Sequence, residues 1–429
     1  EITVSSSMMN SNPLQKRVNI EVSLARPQSS RQSLPRLCVV GVVPYDSPVI
    51  SELSPGSLIR RSSLNHLEPF VEQVRLTSIA QSNLLPGIDN RYPSRLKDSV
   101  TTILEMGCNE VDCILVRVPG VHSWELTHQS VVEMVMGFFN EIPGAMIVFP
   151  DAGGPWPRSW SMDLERRVDP RQSQNLVNCI HTYGPVFAEN FQLGFMDMVP
   201  ENPENAHHTL NSVQGHDITL CSWTGDMDGM YKHGWRCSSA FLSGYINKRV
   251  DVVTQSLVGH EVKLVGGRKI VANRARLLTS EGRLAAPDVL SDNCAVLSID
   301  RHGRKAQILS EYTLRRPRYE WSIPVMRTVK AIHQSLKQAA DMFVFRPVKK
   351  VEAVALEKTV EMVLNPFYER GILVGAEGKG RPTVIGEALP SHSQPMLSVN
   401  LSAMVRPWCQ NISLKVMVRS GEEPVIEKV

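Results

Sequence analysis

The chain has 429 residues and a formal net charge of +3, and 42% of its residues are hydrophobic. This length exceeds what one hydrophobic core usually serves, so we expect two domains with extensions. Lys and Arg are interspersed with Asp and Glu, and no apolar stretch reaches about 18 residues, which argues against nucleic-acid binding and against direct membrane insertion.

The first 36 residues predict an extended arm that carries one β-strand. Its apolar residues alternate with polar ones and are flanked by stretches containing Pro and Ser: Val18, Ile20, Val22 and Leu24. The opening residues lack the charged and then apolar regions of a signal peptide, so we expect none. Because the flanks are too polar to hold the strand against its own core, we expect it to pair with a neighbouring chain.

Between residues 37 and 305 apolar strands alternate with helices. Strands are predicted at Leu37 to Val43, Cys113 to Val118, Ala145 to Phe149 and Gln192 to Met198, with helices at Ser94 to Met106, Ser130 to Asn140, Gln172 to Phe187 and Ser238 to Ile246. Short strands are expected at His260 to Val265 and Asn293 to Ile299. Residues 44–95 predict loops with short elements, and residues 200–235 predict long surface loops. Buried strands alternating with helices are typical of a doubly wound α/β sheet.

From residue 306 the pattern predicts a C-terminal α+β domain. Ser322 can cap a helix that has Pro324 in its first turn, and a second helix ends before Gly371. Two alternating strands then follow without an obvious partner: Leu397, Val399 and Leu401 in the first, and Ile412, Leu414, Val416 and Val418 in the second. We expect the terminal strand to act as an arm that joins a sheet shared with neighbouring chains.

Motifs that suggest chemistry are incomplete. The Gly-rich segment GILVGAEGKGR lacks the first Gly and the Ser or Thr of a phosphate loop, which favours a hairpin or connecting loop. Asp226 and Asp228 lack the remaining ligands of a calcium loop. The spacing of His207, His208 and His216 matches no familiar metal site.

Other signals for catalysis or nucleic-acid recognition are weak. No GxSxG elbow is present, and the basic cluster from Arg315 to Arg318 lacks the helical frame of a nucleic-acid reader, so we interpret it as a solvated face or subunit contact. We therefore expect no catalytic residues, no metal site, no cofactor and no nucleic-acid partner.

The eight cysteines predict free, mostly buried thiols, as in a protein folded in a reducing cytoplasm. Cys38 and Cys113 lie inside apolar strands and should be inert. Cys409 follows the corner between the last two predicted strands, where its thiol could crosslink to a neighbouring chain outside the cell.

Several segments, taken in order, resemble contractile tail sheath proteins of bacteriophages and related contractile injection systems. The likeness is strongest in the C-terminal part, through SEYTLRRPRYEW, IPVMRTVKAIHQSLKQAADMFVFRPV, NPFYERG and LSVNLSAMVRP. Upstream, LKDSVTTILEMGCNEVDCILVRV and AMIVFPDAGG resemble a helix-to-strand step and the central strand of that family.

This resemblance implies a structural subunit, not an enzyme. It would polymerise as stacked rings, expected to be hexameric, around an inner tail tube, and contract to drive the tube through a target cell envelope. The implied partners are the chain itself, the inner tube protein, and baseplate and tail terminator proteins. The implied location is a virion tail assembled in the host bacterial cytoplasm, or a cytoplasmic or extracellular injection particle.

The resemblance also assigns places to the domains. Residues 37–305 would form the outer sheath domain with loop insertions, and residues 306–429 the inner domain. The helical pair of this inner domain offers four charged residues suited to contact the tube: Lys349, Lys350, Glu352 and Lys358.

Two alternatives stay open. An α/β hydrolase or transferase with an appended oligomerisation domain would need a deep pocket with convergent titratable groups at the carboxyl ends of the strands. Another virion component, such as a capsid or baseplate protein, would share the assembly strands without forming a sheath.

Overall fold

A computed structural model gives the fold. It describes residues 36–44, 58–62, 70–85, 94–118, 126–153, 170–198, 203–225, 237–248, 256–263, 294–299, 305–315, 321–390, 395–406, 410–419 and 421–428. All of these belong to one compact unit, Leu34–Val429. The predicted strand from Val18 to Leu24, the Asp226 and Asp228 pair and Cys409 lie outside the described residues.

The described residues form two sheets, of which the first is mixed, with ten strands and a parallel centre. Its strands are β1 (Leu37–Pro44), β2 (Leu58–Ser62), β3 (Phe70–Leu76), β4 (Val111–Val118), β5 (Met146–Phe149), β6 (Leu193–Asp197), β7 (Ile218–Gly225), β8 (Glu261–Lys263), β9 (Ala295–Ile299) and β10 (Lys305–Ile308). The spatial order is β2-β3-β4-β1-β5-β6-β7-β9-β10-β8. Strands β4, β1, β5, β6, β7 and β9 pair in parallel, whereas β2, β3, β8 and β10 pair antiparallel at the two ends. All eight residues of β4 are buried, as expected for a strand covered on both faces.

Helices cover this sheet on both faces. They are α1 (Ile79–Ser82), α2 (Leu96–Glu105), α3 (Gln129–Asn140), α4 (Pro170–Glu189), α5 (Pro203–Ser212) and α6 (Ser238–Lys248). Residues of α2 and α6 share one apolar cluster with Val39 of β1. Residues of α3 and α4 share a second cluster with Val40, the next residue along the same strand. Since successive strand residues point to opposite faces, the two clusters are the two layers of one α/β core.

The second sheet is antiparallel and packs on two helices. The helices are α7 (Ile323–Asp341) and α8 (Lys350–Glu369), and the strands are β11 (Leu373–Val374), β12 (Thr383–Leu389), β13 (Met396–Val405), β14 (Gln410–Arg419) and β15 (Val425–Lys428). Their apolar faces form a third cluster, to which α7 contributes Val325, Ile332 and Leu336. None of the helices described is both long and apolar enough to cross a membrane.

The structure confirms the predicted strands and helices between Leu37 and Met198, and it confirms α6, α7 and α8. The expectation of surface loops over residues 200–235 is wrong, because this stretch contains α5 and β7, and β7 lies between β6 and β9. The region 44–95 likewise contains β3, which pairs with β4 along its whole length. Ser322 is the residue before α7, but its side chain makes no capping hydrogen bond.

Candidate functional site

Buried charges converge at the carboxyl ends of the parallel strands, where α/β enzymes place their sites. Asp151 follows β5, and its carboxylate accepts hydrogen bonds from the Ser94 hydroxyl and the Arg95 backbone N–H, both at 2.8 Å. Asp197 ends β6 and accepts from the Ser239 backbone N–H and hydroxyl, both at 3.0 Å. The Arg95 guanidinium lies 3.3 Å from the Asp197 carboxylate. Each carboxylate therefore binds the amino end of a helix, Asp151 at α2 and Asp197 at α6.

This cluster is closed to solvent. The side chains of Arg95 and Asp197 are 4% and 2% exposed. Burial raises the pKa of Asp151 to about 6, against the opposing effect of its hydrogen bonds to Arg95 and Ser94. The titratable groups that an enzyme would direct at a substrate here bind one another and two helix termini. The hydrolase alternative predicted convergent titratable groups in an open pocket at this edge, whereas Arg95, Asp151 and Asp197 are buried.

A second buried cluster lies at the amino ends of the same strands and connects the two sheets. Asp217 precedes β7, and the Lys330 ammonium of α7 donates to its carboxylate at 2.6 Å. The Arg315 guanidinium lies 3.2 Å from the other carboxylate oxygen and 4.9 Å above the Trp321 ring. Backbone bonds join the same segments, since the Leu314 N–H donates to the Ile218 carbonyl at 2.8 Å. Arg315 therefore makes an intrachain contact, whereas residues 316–318 of the predicted basic cluster lie outside the described residues.

Helix α7 crosses the turns before three neighbouring strands. Gln334 packs against Gly144 before β5, where a φ of +74° and the close approach favour glycine. The His333 ring lies edge-on to Phe191 before β6, with 5.1 Å between ring centroids. Lys330 reaches Asp217 before β7. The opposite face of α7 packs in the core of the second sheet, so this one helix belongs to both halves.

The junction carries more positive than negative charge. Burial lowers the pKa of Lys330 despite its bond to Asp217. Burial, with smaller effects of Lys330 and Arg315, lowers the pKa of His333 to about 4, so this imidazole is neutral at neutral pH. Burial also lowers the pKa of Arg327 to about 10. Beside the junction a cavity of about 500 Å³ is lined by Phe191, His333, Lys337 and the segment from Glu423 to Ile426.

The predicted C-terminal assembly strands have partners within the chain. The expectation that they lack one is corrected, because β13 and β14 pair along their whole lengths, from Met396 with Arg419 to Val405 with Gln410. The apolar residues Leu397, Val399, Leu401, Leu414, Val416 and Val418 face the chain's own core. Strands β11 and β12 occupy the other edge of β13. The free edge of β14 is covered by β15 only from Leu414 to Met417.

The residues predicted to face a tube lie immediately before α8 and in its first half. Lys349, Lys350 and Lys358 are exposed, and Glu352 accepts from Arg346 at 3.1 Å. Sequence reasoning missed the apolar side chains that surround them, of which the most exposed are Phe345 at 87%, Val351 at 75% and Met362 at 61%. Four residues of α8 recur every three or four positions and so lie on one face of the helix: Val351, Val354, Lys358 and Met362. A helical projection of the sequence contains this face.

The remaining sequence candidates lie apart from these surfaces. The Gly-rich segment is a connecting loop between β11 and β12, in which the Gly375 N–H donates to the Gly380 carbonyl at 3.0 Å. His208 is exposed on α5, whereas His216 contacts His181 of α4. The seven cysteines in the described segments are buried and free, Cys38 and Cys113 among them.

Comparison with solved structures identifies the fold. A chain in the cryo-EM structure of the contracted sheath complex of PVC, an extracellular contractile injection system, matches with a TM-score of 0.52 and 14% identity, over 95% of this chain and 96% of that one. The contracted helical sheath of the anti-feeding prophage matches with a TM-score of 0.53 and 14% identity, over 87% of this chain and 90% of that one. The chain has a contractile-sheath fold.

A third match is a chain in the six-fold symmetrised baseplate structure of the anti-feeding prophage, with a TM-score of 0.52 and 13% identity over 95% of this chain and 96% of that one. No family model matches the sequence. No curated protein matches it either. The sheath fold is therefore evident in the arrangement of helices and strands while the sequence has diverged.

Proposed function

We propose that the chain is the structural subunit of a contractile tail sheath. It polymerises as stacked rings around an inner tube and shortens to drive that tube through a cell envelope. The observation that carries the proposal is the match to contracted sheath chains over 87% and 95% of this chain, which extends through both sheets. The buried ion pairs where an enzyme would open a pocket support a structural role.

The proposal includes the domain assignment. Residues 37–305 form an outer, doubly wound α/β domain with loop insertions, and residues 306–429 form an inner α+β domain next to the tube. The separate apolar core of the second sheet supports this division. The sheath assembles in a long metastable state, whose energy is stored in suboptimal contacts between subunits and is released when those contacts repack.

The terminal arms link neighbouring subunits in this proposal. The N-terminal strand from Val18 to Leu24 and the strand from Ile412 to Val418 join one sheet that contains chains from neighbours. The edge of β14 beyond Leu414 to Met417 supports this, because no other described strand covers its backbone donors and acceptors there. Such edges accept an added strand through main-chain hydrogen bonds.

Electron microscopy of the purified chain tests the function. Negative staining of full-length protein should show hollow contracted tubes, and deletion of residues 1–30 should leave folded monomer that forms none. Dispersed particles from full-length protein, or normal tubes from the truncated chain, would contradict the sheath assignment or the arm linkage, respectively.

Substitution separates strand pairing from chain length. Replacing all four apolar residues of the arm by Asn keeps its length but removes its apolar face, and should abolish tubes. The four residues are Val18, Ile20, Val22 and Leu24. Asn19→Ser and Ser23→Asn change the polar face of the same strand and should leave tubes unchanged.

A second candidate is a subunit of the baseplate region, favoured by the match to a chain in a baseplate structure. Like the sheath, this role needs self-association, and its partners would include baseplate proteins and a tail terminator. A chain that closes single rings but never stacks them into tubes would support it.

A further inference from the structure

Two histidines from distant parts of the sequence meet on the outer α/β part of the molecule. His181 lies on the exposed side of α4, and His216 lies in the turn that leads into β7. Nδ1 of His181 is 3.2 Å from Nε2 of His216. The rings meet edge to face, with 5.3 Å between centroids and 74° between planes.

The fold fixes the His216 side of this contact. The Gly215 N–H donates to the Leu314 carbonyl at 2.7 Å, and the Asp217 carbonyl accepts from the Gly194 N–H at 3.0 Å. The His216 ring also lies against Gly184, where a Cβ atom would collide with its Nδ1. The turn and the helix therefore direct Nε2 of His216 towards α4 without help from His181.

The distance between the nitrogens suits a metal ion. Zinc binds imidazole nitrogen at about 2.0–2.1 Å, so two such ligands lie about 2.9 Å apart at a right angle and about 3.4 Å apart in a tetrahedron. The observed 3.2 Å lies within this window. We propose that His181 and His216 form a two-histidine site for a borderline divalent metal ion such as Zn²⁺, Ni²⁺ or Cu²⁺.

The protonation state also suits a metal. Burial, and then the proximity of His181, lowers the pKa of His216, against a smaller opposing effect of Asp217. The neutral imidazole is the form that binds metals. In the free pair one ring N–H points at the other ring's nitrogen. A metal replaces that proton, which moves to the second nitrogen of its own ring, so binding at neutral pH needs no net proton release.

The site is incomplete as a structural zinc site. Within the described part of the chain no three or more His, Cys, Asp or Glu side chains converge, so water completes the coordination. We expect an affinity well below that of a four-ligand site. A bound ion would tie α4 to the turn before β7, next to Asp217 of the junction, and would raise the melting temperature if it binds the folded chain more tightly than the unfolded chain.

Titration of the full-length chain with Zn²⁺ alone tests the site. Wild type should bind about one ion more per chain than the His181→Ala variant. That variant should lose affinity at this site by at least the roughly 10–100-fold that loss of an outer partner costs at known metal sites. His181 is exposed, so its replacement should not disturb folding. The double variant with His216→Ala should lose the weak binding that either single variant keeps at this site, because neither ligand of the ion is then present.

His128→Ala is the matched control, since the exposed His128 ring lies 2.9 Å from the Ser130 hydroxyl rather than against a second histidine. It should leave Zn²⁺ binding and the Zn²⁺-induced rise in melting temperature unchanged. Electron paramagnetic resonance with Cu²⁺ should show two coupled nitrogens in wild type and one in each single variant. Equal binding by wild type and His181→Ala, or equal weakening by His128→Ala, would overturn the assignment. The readouts do not depend on tube formation, so this result and that of the sheath test are independent.

Discussion

The ion pair between Asp217 and Lys330 gives the sharpest test of the junction between the two sheets. Asp217→Asn removes the negative charge and keeps the side-chain shape. The pair is buried, with side-chain exposures of 4% and 9%, and its atoms are 2.6 Å apart. At an effective dielectric constant of about 20, this separation corresponds to an attraction of about 6 kcal/mol. Desolvation of the two ions offsets most of it.

Asp217→Asn should lower the free energy of unfolding by more than the net stabilisation that the ion pair provides. Lys330 and Arg315 would keep their charges without their shared partner, and breaking one side of a buried pair costs about 3–5 kcal/mol. Lys330→Met should cost less, because Asp217 keeps Arg315, whose side chain is 32% exposed. The double variant Asp217→Leu with Lys330→Met should be more stable than Asp217→Asn, since it leaves no deeply buried charge unpaired.

Guanidinium unfolding followed by tryptophan fluorescence and circular dichroism measures these costs. Asp341→Asn, at the exposed end of the same helix, is the control and should stay within about 0.5 kcal/mol of wild type. A loss below about 1 kcal/mol for Asp217→Asn, or a double variant no more stable than Asp217→Asn, would refute the coupling that the geometry implies.

The remaining predictions concern the tube surface, the crosslink and pH. Reversing Lys349 and Lys350 to Glu should impair extended sheath on tube more than tube-free contracted polymer, because exposed ion pairs are worth only about 0–1 kcal/mol each and release readily; equal loss of both, seen by microscopy, would indicate a folding defect. A thiol crosslink at Cys409 would appear as a reductant-sensitive ladder on non-reducing electrophoresis, and a single monomer band would exclude it. As pH falls from 6.5 towards 4, the His333 imidazole takes up a proton in the unfolded chain but not in the folded chain. The free energy of unfolding therefore falls by up to about 3 kcal/mol. His333→Gln should reduce this fall. Asp151, whose pKa in the folded chain is about 6, takes up its proton at a higher pH in the folded chain than in the unfolded chain. This raises the free energy of unfolding over the same pH range, so in the Asp151→Asn variant that free energy should fall more steeply.

Local sequence signals were sufficient to predict a helix and its end where the chain carries both a periodic apolar face and a residue that terminates the helix. Helix α2 ends before Gly107, whose φ of +92° suits glycine, and the sequence placed its end there. Strand β7 was missed because its sequence, ITLCSWTG, mixes polar and apolar residues. Its burial comes from β6 and β9 on either side, which are partners that no local pattern reveals.

The candidate sites were harder to predict because their members are far apart in sequence. Asp217 and Lys330 are separated by 113 positions, and Asp197 and Ser239 by 42. His181 and His216 are 35 positions apart, and the sequence spacing of His216 was compared only with His207 and His208, which are closer in the chain. The resemblance to sheath proteins, by contrast, followed the order of elements, which is what the solved sheath structures share with this chain at 14% identity.

The two buried charge clusters lie at opposite ends of the same parallel strands, and this placement suits a load-bearing subunit. At the carboxyl ends, Asp151 and Asp197 bind the helices α2 and α6 to the sheet. At the amino ends, Asp217 binds α7, which also forms part of the core of the second sheet. Force applied to the C-terminal sheet therefore reaches the parallel strands through a short buried ion pair and through apolar packing. The ion pair and the apolar packing resist deformation better than an exposed linker does. Breaking the ion pair leaves buried charge unpaired, and separating the packed surfaces exposes apolar area to water. In the proposed sheath, we expect each subunit to transmit contraction as one body, with movement confined to the contacts between chains.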